Sequence, residues 1–314
     1  MSLVIKMDWY LSNLKLKIKN INEEQFNFLN YALPYSSDEI ISEFSFDFNN
    51  VNNNYAATVP TNVFKLSNQI IYICQSKYFV DYLDGRKGVW DCINKMFTYN
   101  FGDSPNVRHW FMQAILDPLS ISCVPYNKVI VHGALWTYKN QGILVMGNSG
   151  SGKSTISCLL KDTVKVLSDD VMMVSFKGNS FWAEPINVGF GVSITSPLSN
   201  CAVADDVLVV TKKKKYLKSL YSLADTNDKK AVPLRFVLIL RKGCDTDTHV
   251  ETPVLSDAIK TVLNLQTNIK NPYLYSKFLL FKKMLSECDV RFVNYLELCN
   301  VEKVRECIVK GGEQ

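Results

Sequence analysis

Residues 131–155, VHGALWTYKNQGILVMGNSGSGKST, decide how this chain is read. The apolar run GILVM, 142–146, has the length and composition of a short buried strand. It stops at Gly147, where glycine, serine and asparagine lead into Lys153. Gly147, Asn148, Ser149, Gly150, Ser151, Gly152, Lys153 and Ser154 satisfy GxxxxGK[ST] at every fixed position. Glycines let successive backbone N–H groups curl round an anion without side-chain clashes. The helix expected from Lys153 adds its own unpaired N–H groups. Lys153 would neutralise β- and γ-phosphates, and the Ser154 hydroxyl would meet Mg2+. Thr155 completes the candidate nucleotide-binding set. A Gly/Ser linker is the plain alternative, but a linker would not be wedged between GILVM and ISCLL, 156–160.

The flanks extend the pattern. KSTISCLLKD reads as a helix, VKVLS as an apolar strand ending at Asp169-Asp170, and VMMVSF as the next strand. Strand, loop, helix and strand make the wound unit of an α/β sheet. In a parallel sheet the second strand would end beside the loop, in the ligand crevice. One carboxylate would then hold the metal and the other would accept a hydroxyl proton. Ser154 and Asp170 are the candidate metal ligands, and the choice of base between Asp169 and Asp170 stays open. A hairpin turn between VKVLS and VMMVSF is the plain alternative. Asp205-Asp206 also precedes an apolar strand with no such loop before it, so position relative to Lys153 gives Asp169-Asp170 its weight.

Upstream, NKVIVHGALW is strand-like and TYKNQ is a turn. The sequence has three histidines, and His132 lies on the strand ahead of the loop. A lone strand histidine is ordinarily structural. Residues 1–20 read as one or two strands with Leu14, Leu16 and Ile18 on one face. QIIYIC, 69–74, reads as a strand, and the aromatics over 76–98 and 106–118 predict helices, with Asp103-Pro105 as a break. Residues 48–58 are Asn-rich and turn-like. RFVLIL, 235–240, is a strand, 255–270 and 274–287 are helices, VRFVNYLEL is a strand and 301–309 a closing helix. Lys212–Lys215 read as solvated surface or as part of a lid within 196–232 that orders over nucleotide. Arg235 and Arg241 read as strand-end charges.

Bulk composition narrows the class. A 314-residue chain with 47% hydrophobic and 21% charged residues fits one large or two modest globular domains. The net charge of +5 is too slight for a dedicated nucleic-acid binder. None of the nine cysteines forms a CxxC pair, so zinc-ribbon and thioredoxin readings fall and reduced core cysteines are expected. No apolar run reaches the ~20 residues of a spanning helix, and the N-terminus alternates rather than resembling an export signal. A cytoplasmic protein with no membrane partner is expected.

HGALWTYKNQGILVMGNSGSGKST followed by VLSDDVMMV resembles the catalytic domain of the HPr kinase/phosphorylase family. The motif likeness covers 131–174 and the pattern of elements about 127–300. It implies an α/β fold with a P-loop kinase domain of the HPr kinase/PEP carboxykinase type over 126–314; the change of pattern near 120–127 sets off a smaller α+β module over 1–125, which does not resemble the family's own N-terminal module. The resemblance implies His132 near the phosphates, with Asp169, Asp170 and Lys153 as the other catalytic candidates. ATP is the expected nucleotide, GTP the alternative, with Mg2+ as the cofactor. The loop ends in Ser154-Thr155 where bifunctional HPr kinases have Ser-Glu. EPINVGFGV, 184–192, lacks the arginine of the family's EIRGLG segment. The likeness therefore stops short of phosphorylase activity and of HPr as substrate. It is greater to HPr-kinase-like peptide serine kinases, such as those acting on lasso-peptide precursors. The expected partners are a nucleotide and a peptide or protein with an acceptor serine, held by the N-terminal module through strand addition. Family habit leaves a homo-oligomer open. The alternatives are a kinase of free serine or a sugar alcohol, and a nucleotide-gated regulator that transfers nothing.

Overall fold

Leu14, Leu16 and Ile18 are all fully buried, and the alternation that places them on one face builds the first sheet. The computed structural model describes residues 5–11, 13–33, 40–48, 60, 62–65, 69–74, 77–82, 85–100, 107–160, 162–187, 190–193, 207–210, 214–217, 230–243, 249–266, 272–295 and 301–311. The chain divides into two compact units, Met1–Tyr126 and Asn127–Gln314. Among the described residues they form a mixed α/β structure with six helices and two large sheets.

The first unit contains β1 (Ile5–Leu11), β2 (Leu14–Ile21), α1 (Glu23–Ala32), β3 (Ser42–Phe48), β4 (Asn62–Lys65), β5 (Gln69–Cys74), β6 (Lys77–Tyr82), β7 (Lys87–Asp91), β8 (Met96–Asn100) and α2 (Val107–Ser122). The strands form one sheet in the order β1-β2-β3-β8-β7-β6-β5-β4. α1 opens with a capping box in which Asn22 and Gln25 each satisfy the other's backbone N–H through a side-chain oxygen. The core is aromatic: Phe48 lies 5.0 Å from Tyr99 and 4.6 Å from Phe111 between ring centroids, all three fully buried.

The helix expected over 76–98 is not there, since β6, β7 and β8 occupy that stretch. Tyr78, Val80 and Tyr82 are buried while Lys77, Phe79 and Asp81 are less so, which is a period of two. Aromatic and β-branched residues suit a half-buried pleat as well as a helix face. Positive φ at Gly85 (91°) and Lys95 (57°) makes the reversals between these strands. The helix expected over 106–118 is present as α2. The Asn-rich segment beyond Phe48 and the break at Asp103-Pro105 lie outside the described residues.

The second unit contains β9 (Lys128–His132), β10 (Ala134–Tyr138), β11 (Gln141–Gly147), α3 (Lys153–Leu159), β12 (Lys165–Ser168), β13 (Val171–Lys177), β14 (Ser180–Ile186), β15 (Phe190–Ser193), β16 (Val207–Val210), β17 (Lys214–Leu217), β18 (Val232–Lys242), β19 (His249–Glu251), α4 (Leu255–Leu265), α5 (Leu274–Glu287), β20 (Asp289–Tyr295) and α6 (Val301–Gly311). Its large sheet runs β12-β10-β11-β18-β14-β13-β9, with β20 on β18 and β19 on β20. β11, β18 and β20 are parallel, so Gly147, Leu240 and Val293 line up near their carboxyl ends. Ile156 and Leu160 after the glycine loop, and Val304 and Ile308 of α6, pack on one face of these strands. β15, β16 and β17 form a separate small sheet. Lys214 and Lys215 belong to β17, while Lys212, Lys213 and most of the expected lid lie outside the described residues.

β12 is not the parallel neighbour of β11. β10 lies between them, antiparallel to both, so the acids approach from two strands away. The cause is local. Lys139 and Asn140 both take positive φ, 50° and 62°, which closes a two-residue hairpin and gives β10 the edge of β11.

One antiparallel ribbon crosses from one branch of the sheet to the other. Leu135 pairs with Ser168 in the β10–β12 half, and His132 pairs with Val171 in the β9–β13 half. Between them the ribbon bends, with the Gly133 N–H donating to the Asp170 carbonyl at 3.0 Å. A Cβ on Gly133 would lie 2.7 Å from the Val145 carbonyl oxygen, so only glycine allows this close approach to β11. β12 and β13 do not pair with each other, so Asp169-Asp170 is a corner between sheet branches and not a hairpin turn.

Candidate functional site

Gly147 ends β11 against β18, where a Cβ would meet Ser151 Oγ at 2.4 Å and the Leu240 carbonyl oxygen at 3.0 Å. The chain then turns through Gly150 and Gly152, each with φ of 80°. The Ser151 N–H donates to the Asn148 carbonyl at 3.0 Å. The Tyr295 hydroxyl donates to the Ser151 carbonyl, so the last residue of β20 braces the loop. Burial pushes that phenol up to about 12, which keeps it a donor across the neutral range. Asn148, Ser149 and Gly150 form the exposed rim, while the buried Ser151 hydroxyl has no hydrogen-bond partner among the described residues.

Lys153, 9% exposed, donates from Nζ to the carbonyls of Gly147 at 2.9 Å and Asn148 at 3.4 Å, across the mouth of the loop. The following helix is anchored from behind. Trp136 Nε1 donates to Ser157 Oγ at 2.8 Å, and Ser157 Oγ donates to the Lys153 carbonyl at 2.9 Å.

The bent ribbon delivers the acids. The Ser154 hydroxyl donates to Asp169 Oδ2 at 2.8 Å, and Asp169 is 6% exposed. Asp170 has its Oδ1 3.6 Å from His132 Nδ1, with side-chain exposures of 25% for Asp170 and 46% for His132. Ser168 fixes the corner by donating through Oγ to the carbonyls of Val171 at 2.6 Å and Ile186 at 3.1 Å. The two aspartates therefore face different partners. The acid on Ser154 is Asp169, where the sequence had paired Ser154 with Asp170.

His132, Lys153, Ser154, Asp169 and Asp170 thus gather where β11 ends and the ribbon bends. Thr155 is partly buried in α3, and Arg235 is exposed on β18. Arg241 is engaged on the opposite face from α3. Its guanidinium lies 3.4 Å from the Phe292 ring centroid, and Nη2 donates to Thr261 Oγ1 at 3.2 Å. Among the described residues no three His, Cys, Asp or Glu side chains cluster as a metal site, and no helix is long and apolar enough to cross a membrane. Cys92, Cys123, Cys74, Cys288 and Cys307 are free thiols, and burial pushes Cys92 and Cys288 up to about 12.

Sequence reasoning missed Tyr295, Gly133 and Gln266. Tyr295 and Gln266 act through contacts more than a hundred positions away, for which the sequence carries no local signal. Gly133 was visible as the break in NKVIVHGALW, but its purpose depends on β11 beneath it.

No protein-family model and no curated protein matches the sequence. Among solved structures the chain is similar to the Hpr(Ser) kinase/phosphatase from Coxiella burnetii, at 13% identity over 58% of this chain and 97% of that one, with a TM-score of 0.31. That score is too low to establish a shared fold, and the site's meaning rests on its own geometry.

Proposed function

We propose that the chain is an ATP-dependent kinase that phosphorylates a serine-type hydroxyl of a peptide or protein. The observation that carries the reading is the 2.8 Å hydrogen bond from Ser154, the hydroxyl after the loop lysine, to Asp169. It joins the glycine loop to an acidic corner built by a different part of the chain. The unpartnered Ser151 hydroxyl and the curl of N–H groups fit a polyphosphate. Ser154 and Asp169 offer hard oxygen donors that fit Mg2+, which is ordinarily held by one or two carboxylates plus substrate phosphates rather than by an all-protein cage. Bound there, the ion would neutralise charge on the transferring phosphoryl group.

The chain's own groups do the rest. Lys153 exchanges its hold on the Gly147 and Asn148 carbonyls for the β- and γ-phosphates. Asp170, more exposed than Asp169, accepts the proton of the incoming hydroxyl, and His132 orients it. The acceptor oxygen forms the new bond to the γ-phosphorus, the bridging P–O bond breaks, and ADP leaves. The acceptor is sought with γ-labelled ATP, Mg2+, serine-containing peptides and a panel including free serine and sugar alcohols. Label on a peptide that disappears in the Asp169→Asn, Asp170→Asn double variant supports the reading. Label transfer surviving in that variant refutes it. Label on a small molecule moves the substrate class, and nucleotide binding with no labelled product makes the chain a nucleotide-gated binder.

A further inference from the structure

Gln266 lies at the end of α4, where the chain leaves the helix in an extended conformation (φ −99°, ψ 146°). Its side chain is 7% exposed. Its Oε1 accepts from the His132 N–H at 3.0 Å, and its Nε2 donates to the His132 carbonyl at 3.4 Å. Among the described residues β9 is the terminal strand of its branch of the sheet, pairing only with β13. In an antiparallel ladder every second residue turns both backbone groups away from its partner. For His132 that outward side has no neighbouring strand among the described residues. Gln266 fills the gap, since a carboxamide carries the same donor and acceptor as a peptide group.

We infer that Gln266 is a positioning residue that clamps the His132 backbone and so fixes the His132–Asp170 pair relative to the glycine loop. This rests on the kinase reading for its catalytic meaning, but not for its geometry. Three constraints meet at the bend. Gly133 lies flush on Val145, its N–H binds the Asp170 carbonyl, and Gln266 holds both backbone groups of His132. The first two fix the ribbon against β11 and against itself, and only the third ties it to a helix. That helix is fixed in turn, because Arg241 holds Thr261 one turn before Gln266 and Thr261 Oγ1 donates to the Asp257 carbonyl at 2.8 Å. α4 therefore acts as a strut between the end of β18 and the bend of the ribbon. Without the clamp, His132 remains joined to β13 but its outward side is released, and the imidazole loses its fixed distance to Asp170.

The test uses the full chain with Gln266→Met, which keeps length but neither hydrogen bond. Gln266→Glu keeps the acceptor for the His132 N–H and lacks the donor. Two readouts are followed: ADP release from MgATP, resolved into kcat and KM, and the imidazole proton–carbon signals, which three histidines keep assignable. A misplaced catalytic pair costs roughly tenfold to a hundredfold in rate. Gln266→Met is expected to lower kcat by that factor with KM for MgATP within about twofold, and to displace the His132 signal while leaving His109 in place. Gln266→Glu is expected to fall between Gln266→Met and the parent, which a purely structural role would not produce, and it serves alone if the methionine variant does not fold. A parent-like kcat and His132 signal in Gln266→Met, with turnover lost in Asp170→Asn, overturn the clamp and leave the kinase reading standing. A displaced His132 signal with turnover indifferent to both Gln266 and Asp170 upholds the clamp and removes the kinase reading.

Discussion

Two aspartates, one in each unit, answer to different surroundings: Asp117 is half-buried and Asp169 is buried. Asp117 lies on α2 in the first unit, accepting from Gln69 Nε2 at 3.1 Å and from Gln113. Burial pushes its carboxyl up from the usual 3.8 to about 6, against the lowering effect of those two amides. Asp169 sits at a corner of the second unit, bonded to a hydroxyl that follows the glycine loop, with Asp170 beside it. Enclosure alone does not make an acid functional. Asp169 differs from Asp117 because its partner, Ser154, follows the glycine loop at the end of β11. Asp117 is surrounded by neutral amides that solvate it in place.

The largest effect that would separate the two acids is catalytic. Asp170→Asn is expected to lower phosphoryl transfer by about two to four orders of magnitude, as loss of a general base does. Asp117→Asn is expected to leave transfer unchanged, and labelled ATP measures both. A transfer rate that responds equally to the two substitutions would erase the distinction.

Asp117 should instead show itself in stability. Its folded-state pKa is raised, so its contribution is fully present below the unfolded value of 3.8 and is lost as pH rises through about 6. The rise from 3.8 to about 6 corresponds to up to about 3 kcal/mol. Asp117→Asn is expected to flatten the stability profile between pH 4 and 7, measured by urea denaturation at a series of pH values.

Two smaller effects sharpen the other side. Lys153→Ala removes a charged donor from the loop and is expected to weaken MgATP binding by about tenfold to a hundredfold in calorimetry, without a matching loss of stability. Trp136→Phe removes the hydrogen bond to Ser157 behind α3, and its cost is expected at about 1 kcal/mol in the same denaturation assay.

The glycine loop was legible in the sequence because its pattern is local. Glycines at fixed offsets, a lysine and a serine are all contiguous, and the flanking strand and helix carry their own periodicity. The acidic corner was legible only as a pair of residues. Its meaning comes from the bend of a ribbon whose halves are more than thirty positions apart and from the hairpin turn at Lys139-Asn140, which puts β10 where a wound unit would put β12. The strands β6 to β8 were misread because tyrosine, phenylalanine and tryptophan fit a helix face and a pleat alike, and pairing with β5 and β3 decides between them. Gln266 shows the same limit, since nothing near it in the sequence announces an edge strand to be capped.

The central claim is that a nucleotide's phosphates rest in the loop at 147–154 with a divalent ion between them and the Ser154–Asp169 pair. Crystals grown with Mn2+ and a nonhydrolysable ATP analogue test it directly through the anomalous signal of the ion. The account predicts one strong peak in contact with the Ser154 Oγ, adjoining Asp169 and the terminal phosphates. A peak elsewhere in the molecule, or an analogue bound away from residues 147–154, would contradict it.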